Sequence, residues 1–212
     1  MIGSTLGGCR IISKIKDGSV GTIFKGVKPD GKIYAVKVLS ERNAQRPDKL
    51  KEFKREAEIA ASLEHPSIIK VFEYHDARPA PFMIMEYFES ENLKYTLYNL
   101  QQRIFGQEFF ILRQCAEALQ FCHTKGIVHR DIKPENFLVN DKGIVKLIDF
   151  SIALTRMDRL LPFFKPKMAG TPLYMAPEQI KQEKIDHKAD LYAFGAVMFE
   201  VIAKRPLYMG TS

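Results

Sequence analysis

The amino-acid sequence predicts an α+β fold, in which strands dominate the first part of the chain and helices the second. Alternation of apolar and polar residues indicates strands over residues 10–15, 23–27, 32–39, 68–75 and 82–87. A single helical pattern interrupts them, because Pro47 and Asp48 open a stretch with apolar residues at helical spacing. Beyond residue 90 the patterns are mainly helical. This segregation of strands and helices along the chain is typical of α+β proteins.

Turns and helix faces can be read from the same sequence. Residues 17–21, Asp-Gly-Ser-Val-Gly, form a turn between the first two strands, and Asp30-Gly31 predicts a hairpin before the third. Ser90 and Glu91 are interpreted as a short linker, after which a helix begins at Asn92. A longer amphipathic helix is predicted over residues 108–125, and Gly126 ends it. Its buried face is predicted to carry Phe109, Leu112, Ala116, Leu119 and Cys122.

Length and composition are those of an ordinary globular protein. The 212 residues are enough for one large domain or two small ones. The net charge is +7, but the lysines are spread along the chain, so no nucleic-acid partner is expected. The cysteines number 3 and lack metal-ligand spacing, which favours a reducing compartment.

The sequence does not predict a membrane-spanning segment. Its most apolar stretch, residues 191–203, is too short to cross a bilayer and contains Glu200. The first residues lack the charged and apolar regions of a signal peptide. A cytoplasmic location is expected, either for a separate chain or for the cytosolic part of a longer membrane-anchored one.

Residues 129–136, His-Arg-Asp-Ile-Lys-Pro-Glu-Asn, lie in a loop between two short apolar runs. Pro134 cannot donate a backbone hydrogen bond and disfavours a helical conformation at Lys133. The loop can therefore aim polar groups at one point: a carboxylate that accepts a proton (Asp131), a cation suited to phosphate (Lys133) and an amide oxygen suited to a hard cation (Asn136). This stretch resembles the catalytic loop of eukaryotic-type (Hanks-type) protein kinases, with Ile132 in place of leucine.

The resemblance extends to the first part of the chain. The family's glycine-rich loop aligns with residues 16–23, where Lys16 replaces the first glycine and Gly18 and Gly21 remain. Lys37 in Ala-Val-Lys matches the strand lysine that pairs the nucleotide phosphates, and Glu56 matches the helix glutamate that holds it. On periodicity alone Glu56 has no special status. The ATP site implied by the resemblance comprises Ile15, Gly18, Gly21, Ile23, Ala35, Lys37, Glu86, Phe88 and Leu138.

The resemblance also covers the second part. Asp149-Phe150-Ser151 matches the family's Asp-Phe-Gly, so Asp149 and Asn136 are the implied magnesium ligands, and serine replaces a glycine that tolerates positive φ. Residues 149–178 match the activation segment, and the form of residues 169–178 together with Lys133 is that of serine/threonine kinases. Thr171 is implied to hydrogen-bond with Asp131 and Lys133. Asp190 would brace the catalytic-loop backbone from a central helix that runs through Leu191, Phe194, Val197 and Val201.

The family fold implied is bilobal, with a small antiparallel-sheet lobe that carries one helix and a mainly helical larger lobe. The small lobe would span about residues 10–88 and the larger lobe residues 89–212. Kinase domains continue beyond the central helix with further helices, so the larger lobe is expected to be truncated and less stable than a complete one.

The leading hypothesis is a magnesium- and ATP-dependent kinase that phosphorylates serine or threonine in protein substrates, with Asp131, Lys133, Lys37 and Glu56 as its catalytic residues. The alternative is an ATP-binding pseudokinase, or a truncated fragment, that acts as a scaffold; Lys16 and Ser151 favour it. A small-molecule phosphotransferase would not explain residues 171–178, which kinases use to hold a peptide.

The activation segment predicts an unusual form of control. Arg130 beside Asp131 is the residue with which many kinases sense a phosphate on this segment. Residues 156–170, however, contain no serine, threonine or tyrosine, and Thr155 comes too early. We expect activity without phosphorylation here, with Phe163 and Phe164 as apolar anchors instead.

Overall fold

A computed structural model describes residues 1–160 and 169–208. The chain forms two compact units. The first comprises Met1–Glu64 and Ile69–Glu89, and the second comprises His65–Ile68 and Ser90–Ser212. The α+β class predicted from the sequence is confirmed, with a sheet in the first unit and mainly helices in the second.

The first unit is built on an antiparallel sheet of 6 strands. The order of the strands across the sheet is β1-β2-β3-β4-β6-β5, so that β6 lies between β4 and β5. Their bounds are β1 Thr5–Leu6, β2 Cys9–Asp17, β3 Gly21–Val27, β4 Ile33–Leu39, β5 Val71–His75 and β6 Phe82–Glu86. One face of the sheet buries an apolar cluster made of Cys9, Ile11, Phe24, Val36, Val38, Ala80, Phe82 and Ile84.

Two helices connect β4 to β5, where the sequence predicted one. The short helix α1 spans Glu41–Ala44 and α2 spans Pro47–Ala61. Pro47 is tolerated in the first turn of α2, because a helix leaves its first N–H groups without intrahelical partners. The strand predicted from residue 68 begins only at Val71. Ile68 instead closes a turn, donating its N–H to His65 O at 3.1 Å.

The second unit combines a small sheet with helices. Its strands are β7 Glu91–Asn92, β8 Phe137–Val139 and β9 Val145–Leu147, in the order β7-β8-β9. Its helices are α3 Leu93–Asn99, α4 Glu108–Thr124, α5 Arg156–Leu160, α6 Pro177–Ile180 and α7 His187–Ala203. Short 3-10 helices span Gln101–Arg103 and Pro134–Asn136.

The predicted buried face of α4 is partly wrong. Phe109 is 85% exposed and Ala116 is exposed, whereas Ile111, Cys115, Ala118 and Cys122 are buried. The difference is explained by Gln114, a polar residue on the face that is actually buried. Its side chain donates to Gly143 O at 2.8 Å and accepts from Val145 N at 3.0 Å. These bonds turn the Gln114 side of α4 inward. In α7, which runs through the predicted residues, Phe194, Val197 and Val201 are buried and Leu191 is 51% exposed.

Within residues 1–160 and 169–208, no helix combines the length and the apolar composition needed to cross a bilayer.

Candidate active site

In the first unit, Lys37 and Glu56 form a largely buried ion pair. Lys37 lies on β4 between Ile23 of β3 and Met83 of β6, and Glu56 lies on the inward face of α2. The Lys37 ammonium is 2.6 Å from Glu56 Oε1 and 2.8 Å from Oε2. Only 14% of the Lys37 side chain and 6% of the Glu56 side chain are exposed. Helix α2 is thereby tied to the middle of the sheet.

The turn between β2 and β3 is held from both sides. Gly18 N donates to Gly21 O at 2.8 Å and closes the tip. A Cβ on Gly21 would lie 2.0 Å from Val38 O, so this position has no room for a side chain. From α1, Asn43 Nδ2 donates to Val20 O at 2.9 Å. The tip is therefore a defined turn.

The other residues of the predicted ATP site take the following places. Ile15 is 48% exposed at an irregularity of β2, and Ile23 is half-buried on β3. Ala35 is buried on β4, and Glu86 N donates to Lys70 O at 2.8 Å. Phe88 follows β6 in the first unit, and Leu138 lies on β8 in the second. Their contact with a nucleotide stays a prediction.

In the second unit, Asp131, Lys133 and Thr171 form a closed triangle of polar contacts. Lys133 Nζ is 2.7 Å from Asp131 Oδ2 and donates to Thr171 Oγ1 at 2.7 Å. Thr171 Oγ1 donates to Asp131 Oδ1 at 3.0 Å. The contacts predicted for Thr171 are confirmed. They fix a carboxylate and an ammonium at one point, although the residues come from segments 40 positions apart.

Asn136 and Asp149 leave the same end of the β8–β9 pair. Phe137 at the start of β8 pairs with Leu147 at the end of β9, and Ile148 N donates to Asn136 O at 2.9 Å. The Asn136 Nδ2 group donates to Asp131 O at 2.7 Å, which orients its amide. Amide and carboxylate oxygens are hard ligands, so these residues fit Mg²⁺ when phosphate and water oxygens complete its coordination.

The loop is anchored by Asp190 at the start of α7. Its Oδ1 accepts from Arg130 N at 2.8 Å and its Oδ2 from His129 N at 2.9 Å. Asp190 is 0% exposed, and His123 Nε2 lies 2.8 Å from its Oδ2. Arg130 has φ 71°, a backbone conformation that needs such support in a non-glycine residue. The predicted bracing by Asp190 is confirmed.

The sequence model described as protein kinase domain matches residues 9–212. This chain belongs to the protein kinase family, in its Hanks-type serine/threonine superfamily. The match covers both compact units.

Curated relatives of this kinase domain are serine/threonine-protein kinases. Serine/threonine-protein kinase PknB of Mycobacterium leprae is 34% identical over 182 residues, which cover 84% of this chain and 29% of the relative. A probable serine/threonine-protein kinase of Streptomyces coelicolor is 35% identical over 86% of this chain and 28% of the relative. The serine/threonine-protein kinase named fused, of Drosophila melanogaster, is 33% identical over 95% of this chain and 25% of the relative. The kinase domain thus spans less than a third of the length of these relatives.

The two residues that replace glycines of the family pattern, Lys16 and Ser151, do not adopt the backbone conformation that favours glycine. Lys16 lies in β2 and pairs with Ile23 as an ordinary strand residue. Neither Lys16 nor Ser151 has a positive φ; in this tripeptide the positive value, 68°, belongs to Asp149, two residues before Ser151. The conformation that would make serine costly at position 151 is therefore not adopted here.

The described part of the activation segment ends at residue 160 and resumes at residue 169. Phe163 and Phe164, the predicted apolar anchors, lie outside the described residues. Before that gap, Thr155 N and Oγ1 both donate to Asp158 Oδ2 at 2.7 Å. The Thr155 hydroxyl is therefore engaged in capping α5.

Sequence reasoning missed a polar cluster around a buried carboxylate, made of Lys94, Tyr98, Tyr174 and Glu200. Glu200 had been noted only as a charge within an apolar stretch, yet it is 0% exposed in α7 and accepts hydrogen bonds from the other three. A charged residue amid buried apolar residues was the available signal, since such a group requires partners. Gln179, which donates to Arg130 O at 2.9 Å, gave no comparable signal.

Proposed function

We propose that this kinase domain transfers the γ-phosphoryl group of ATP to serine and threonine hydroxyls of protein substrates. The observation that carries this proposal is the triangle of Asp131, Lys133 and Thr171, with contacts of 2.7 to 3.0 Å. A general base must lie within hydrogen-bond reach of the proton that it removes. In this triangle the Thr171 hydroxyl already donates to Asp131, so the carboxylate is placed to accept a proton from a hydroxyl group.

Within this proposal each side chain has one task. Asp131 orients the acceptor hydroxyl and takes its proton, while Lys133 places a positive charge beside the transferred phosphoryl group. Thr171 keeps both groups in place. When bound, Mg²⁺ neutralises the negative charge that develops on the transferred group, and Asn136 and Asp149 would hold it.

The first unit would supply the nucleotide-binding groups. Lys37 would contact the phosphates, and Glu56 fixes its position through the ion pair. Gly18 and Gly21 would let the backbone of the turn approach the phosphates. The apolar side chains of Ile15, Ile23 and Ala35 and the main chain of Glu86 and Phe88 would bind the adenine, and Leu138 would be the one contribution of the second unit.

The alternative, a scaffold that binds ATP without transfer, rested on Lys16 and Ser151. Because neither residue is in a strained conformation, that support is weak. The contacts of Asp131, Lys133 and Asn136 favour an enzyme instead.

Phosphate transfer and acceptor analysis together test the proposal. The purified chain is incubated with labelled ATP and a generic protein acceptor, with and without Mg²⁺, and the labelled product is hydrolysed to its phosphoamino acids. We expect phosphoserine and phosphothreonine that form only with Mg²⁺. ATP binding without transfer would support the scaffold, and phosphotyrosine alone would contradict the proposed acceptor class.

A further inference from the structure

Glu200 is a carboxylate buried in the apolar core of the second unit. It is 0% exposed, and its Oε1 accepts from Lys94 Nζ and from Tyr98 OH, the latter at 2.8 Å. Its Oε2 accepts from Tyr174 OH at 2.6 Å. A carboxylate is tolerated away from water only when it is paired and hydrogen-bonded, so these three donors compensate the burial of Glu200.

Lys94 supplies the compensating positive charge. It comes from α3, and 30% of its side chain is exposed, so its stem crosses from the surface to the carboxylate. Its ammonium also donates to Tyr174 OH at 3.2 Å and lies 5.0 Å from the centre of the Tyr98 ring. One lysine therefore contacts every member of the cluster.

The cluster is continuous with the acceptor-hydroxyl site through Tyr174. The ring of Tyr174 is buried, with its hydroxyl bound to Glu200, and its N–H donates to Thr171 O at 2.9 Å. Thr171 Oγ1 in turn contacts Asp131 and Lys133. The loop that carries Thr171 is thereby fixed at both ends: by the Thr171 side chain on Asp131 and by the Tyr174 hydroxyl on Glu200.

A second carboxylate, that of Glu135, adds to the negative charge that acts on the Tyr174 hydroxyl. Glu135 Oε2 is buried, and among the described residues no hydrogen-bond partner contacts this atom. Burial, the hydrogen bond to Glu200 and the charges of Glu200 and Glu135 all raise the pKa of Tyr174. Without Lys94, the loop would lie beside two acidic groups with no ammonium group in the cluster.

We propose that Lys94 is a positioning residue for the acceptor site: by neutralising Glu200 it holds Tyr174, and through Tyr174 it keeps Thr171 on Asp131 and Lys133. The inference rests on the proposed function for its catalytic consequence, and on the contacts alone for its structural one. Lys94 contacts Glu200, Tyr174 and Tyr98, and none of these three is a proposed catalytic or nucleotide-binding residue. Its effect should therefore reach binding of the acceptor protein and leave nucleotide binding unchanged.

Hydrogen exchange tests the structural part without requiring activity. The variants are Lys94→Met, Lys94→Arg, which keeps the charge, and Lys184→Met, which removes an exposed lysine of the same unit. We expect Lys94→Met to speed exchange of the Tyr174 amide about tenfold, the factor that corresponds to about 1.4 kcal/mol of local opening. Lys94→Arg and Lys184→Met should match the parent.

A double variant keeps the test decisive if Lys94→Met does not fold. Lys94→Met combined with Glu200→Gln removes both charges, so the variant should fold and its Tyr174 amide should exchange within a few-fold of the parent rate. If the Tyr174 amide exchanges at the same rate in Lys94→Met as in the parent, the proposal is overturned. Exchange that rises equally throughout α3, α4 and α7 would do the same, because it would show a general loss of stability.

Kinetics separate this inference from the proposed function. In Lys94→Met we expect kcat/KM for the protein acceptor to fall by about 10²-fold, the loss typical of a misplaced site, with the KM for ATP unchanged. A parent chain that transfers no phosphate would refute the proposed function, while the exchange result would still decide the role of Lys94. An active parent with an unaltered acceptor KM and kcat in Lys94→Met would overturn the inference alone.

Discussion

The ammonium group of Lys37 contacts both carboxylate oxygens of Glu56, at 2.6 and 2.8 Å, in a largely buried setting. Another pair of the same unit, Lys70 and Glu64, is equally short at 2.7 Å, but 50% and 85% of its side chains are exposed. Exposed pairs contribute about 0–1 kcal/mol, whereas breaking a buried pair costs about 3–5 kcal/mol. Burial, and not distance, therefore separates the two pairs in energy.

The first prediction follows from this difference. Lys37→Met should lower the free energy of unfolding by about 3–5 kcal/mol, because the carboxylate of Glu56 stays buried without its cation. Lys70→Met is the matched control and should cost less than about 1 kcal/mol. Urea unfolding of both variants measures the difference. Equal losses would mean that Glu56 is not held as a buried ion.

The second prediction concerns the hydroxyl of Thr171. Thr171→Val keeps the shape of the side chain but removes the contacts to Asp131 and Lys133, so the two catalytic groups lose their common partner. We expect kcat/KM to fall by about 10²-fold, as for other misplaced catalytic groups. Thr171→Ser retains the hydroxyl and should stay within a few-fold of the parent. Full activity of Thr171→Val would show that the Thr171 hydroxyl is not needed to position Asp131 and Lys133.

The third prediction uses two glycines with opposite surroundings. Gly21→Ala should destabilise the protein by about 1–3 kcal/mol, because the added Cβ would lie 2.0 Å from Val38 O. Gly195→Ala in α7 should instead stabilise it by about 0.5–1 kcal/mol, since nothing lies within 4 Å and alanine favours a helix. The midpoint temperature of thermal unfolding should therefore fall in Gly21→Ala and rise in Gly195→Ala. A shift of the same sign in both variants would contradict the close approach at Gly21.

The fourth prediction is a pH dependence. Burial and the hydrogen bond to Glu200 raise the pKa of Tyr98 from 10.0 to about 12. The folded protein then holds this proton more tightly than the unfolded chain does. The stabilisation is fully present below pH 10, the unfolded value, and is lost as pH rises through about 12. Stability of the parent should fall more steeply across this window than that of Tyr98→Phe. Parallel curves would show that the Tyr98 hydroxyl does not donate to Glu200 in the folded protein.

The catalytic loop could be read from sequence because its chemistry is local. Asp131, Lys133 and Asn136 lie within a few residues of each other, and Pro134 favours the extended backbone found at Lys133, although a short 3-10 helix follows over Pro134–Asn136. Lys37 and Glu56 were found only through the family spacing. In sequence Glu56 is one of several charges on a helix, and its burial results from packing of α2 on the sheet.

Other features depend on contacts that no local pattern contains. The partners of Glu200 lie 106, 102 and 26 positions away, so a sequence window shows only an isolated charge. The buried face of α4 was misassigned because apolar spacing cannot reveal the hydrogen bonds of Gln114 to Gly143 and Val145. At position 151 the family pattern suggested a loss of the conformational freedom that glycine gives, whereas the backbone places the positive φ at Asp149.

The measurement that tests the central claim most directly compares Asp131→Asn with Asp141→Asn, an exposed aspartate of the same unit. Single-turnover phosphate transfer and ATP binding are measured for both variants and for the parent. If Asp131 is the base, its variant should bind ATP as the parent does but transfer phosphate about 10²–10⁴-fold more slowly. Asp141→Asn should match the parent in both. Transfer by Asp131→Asn at the parent rate would contradict the account.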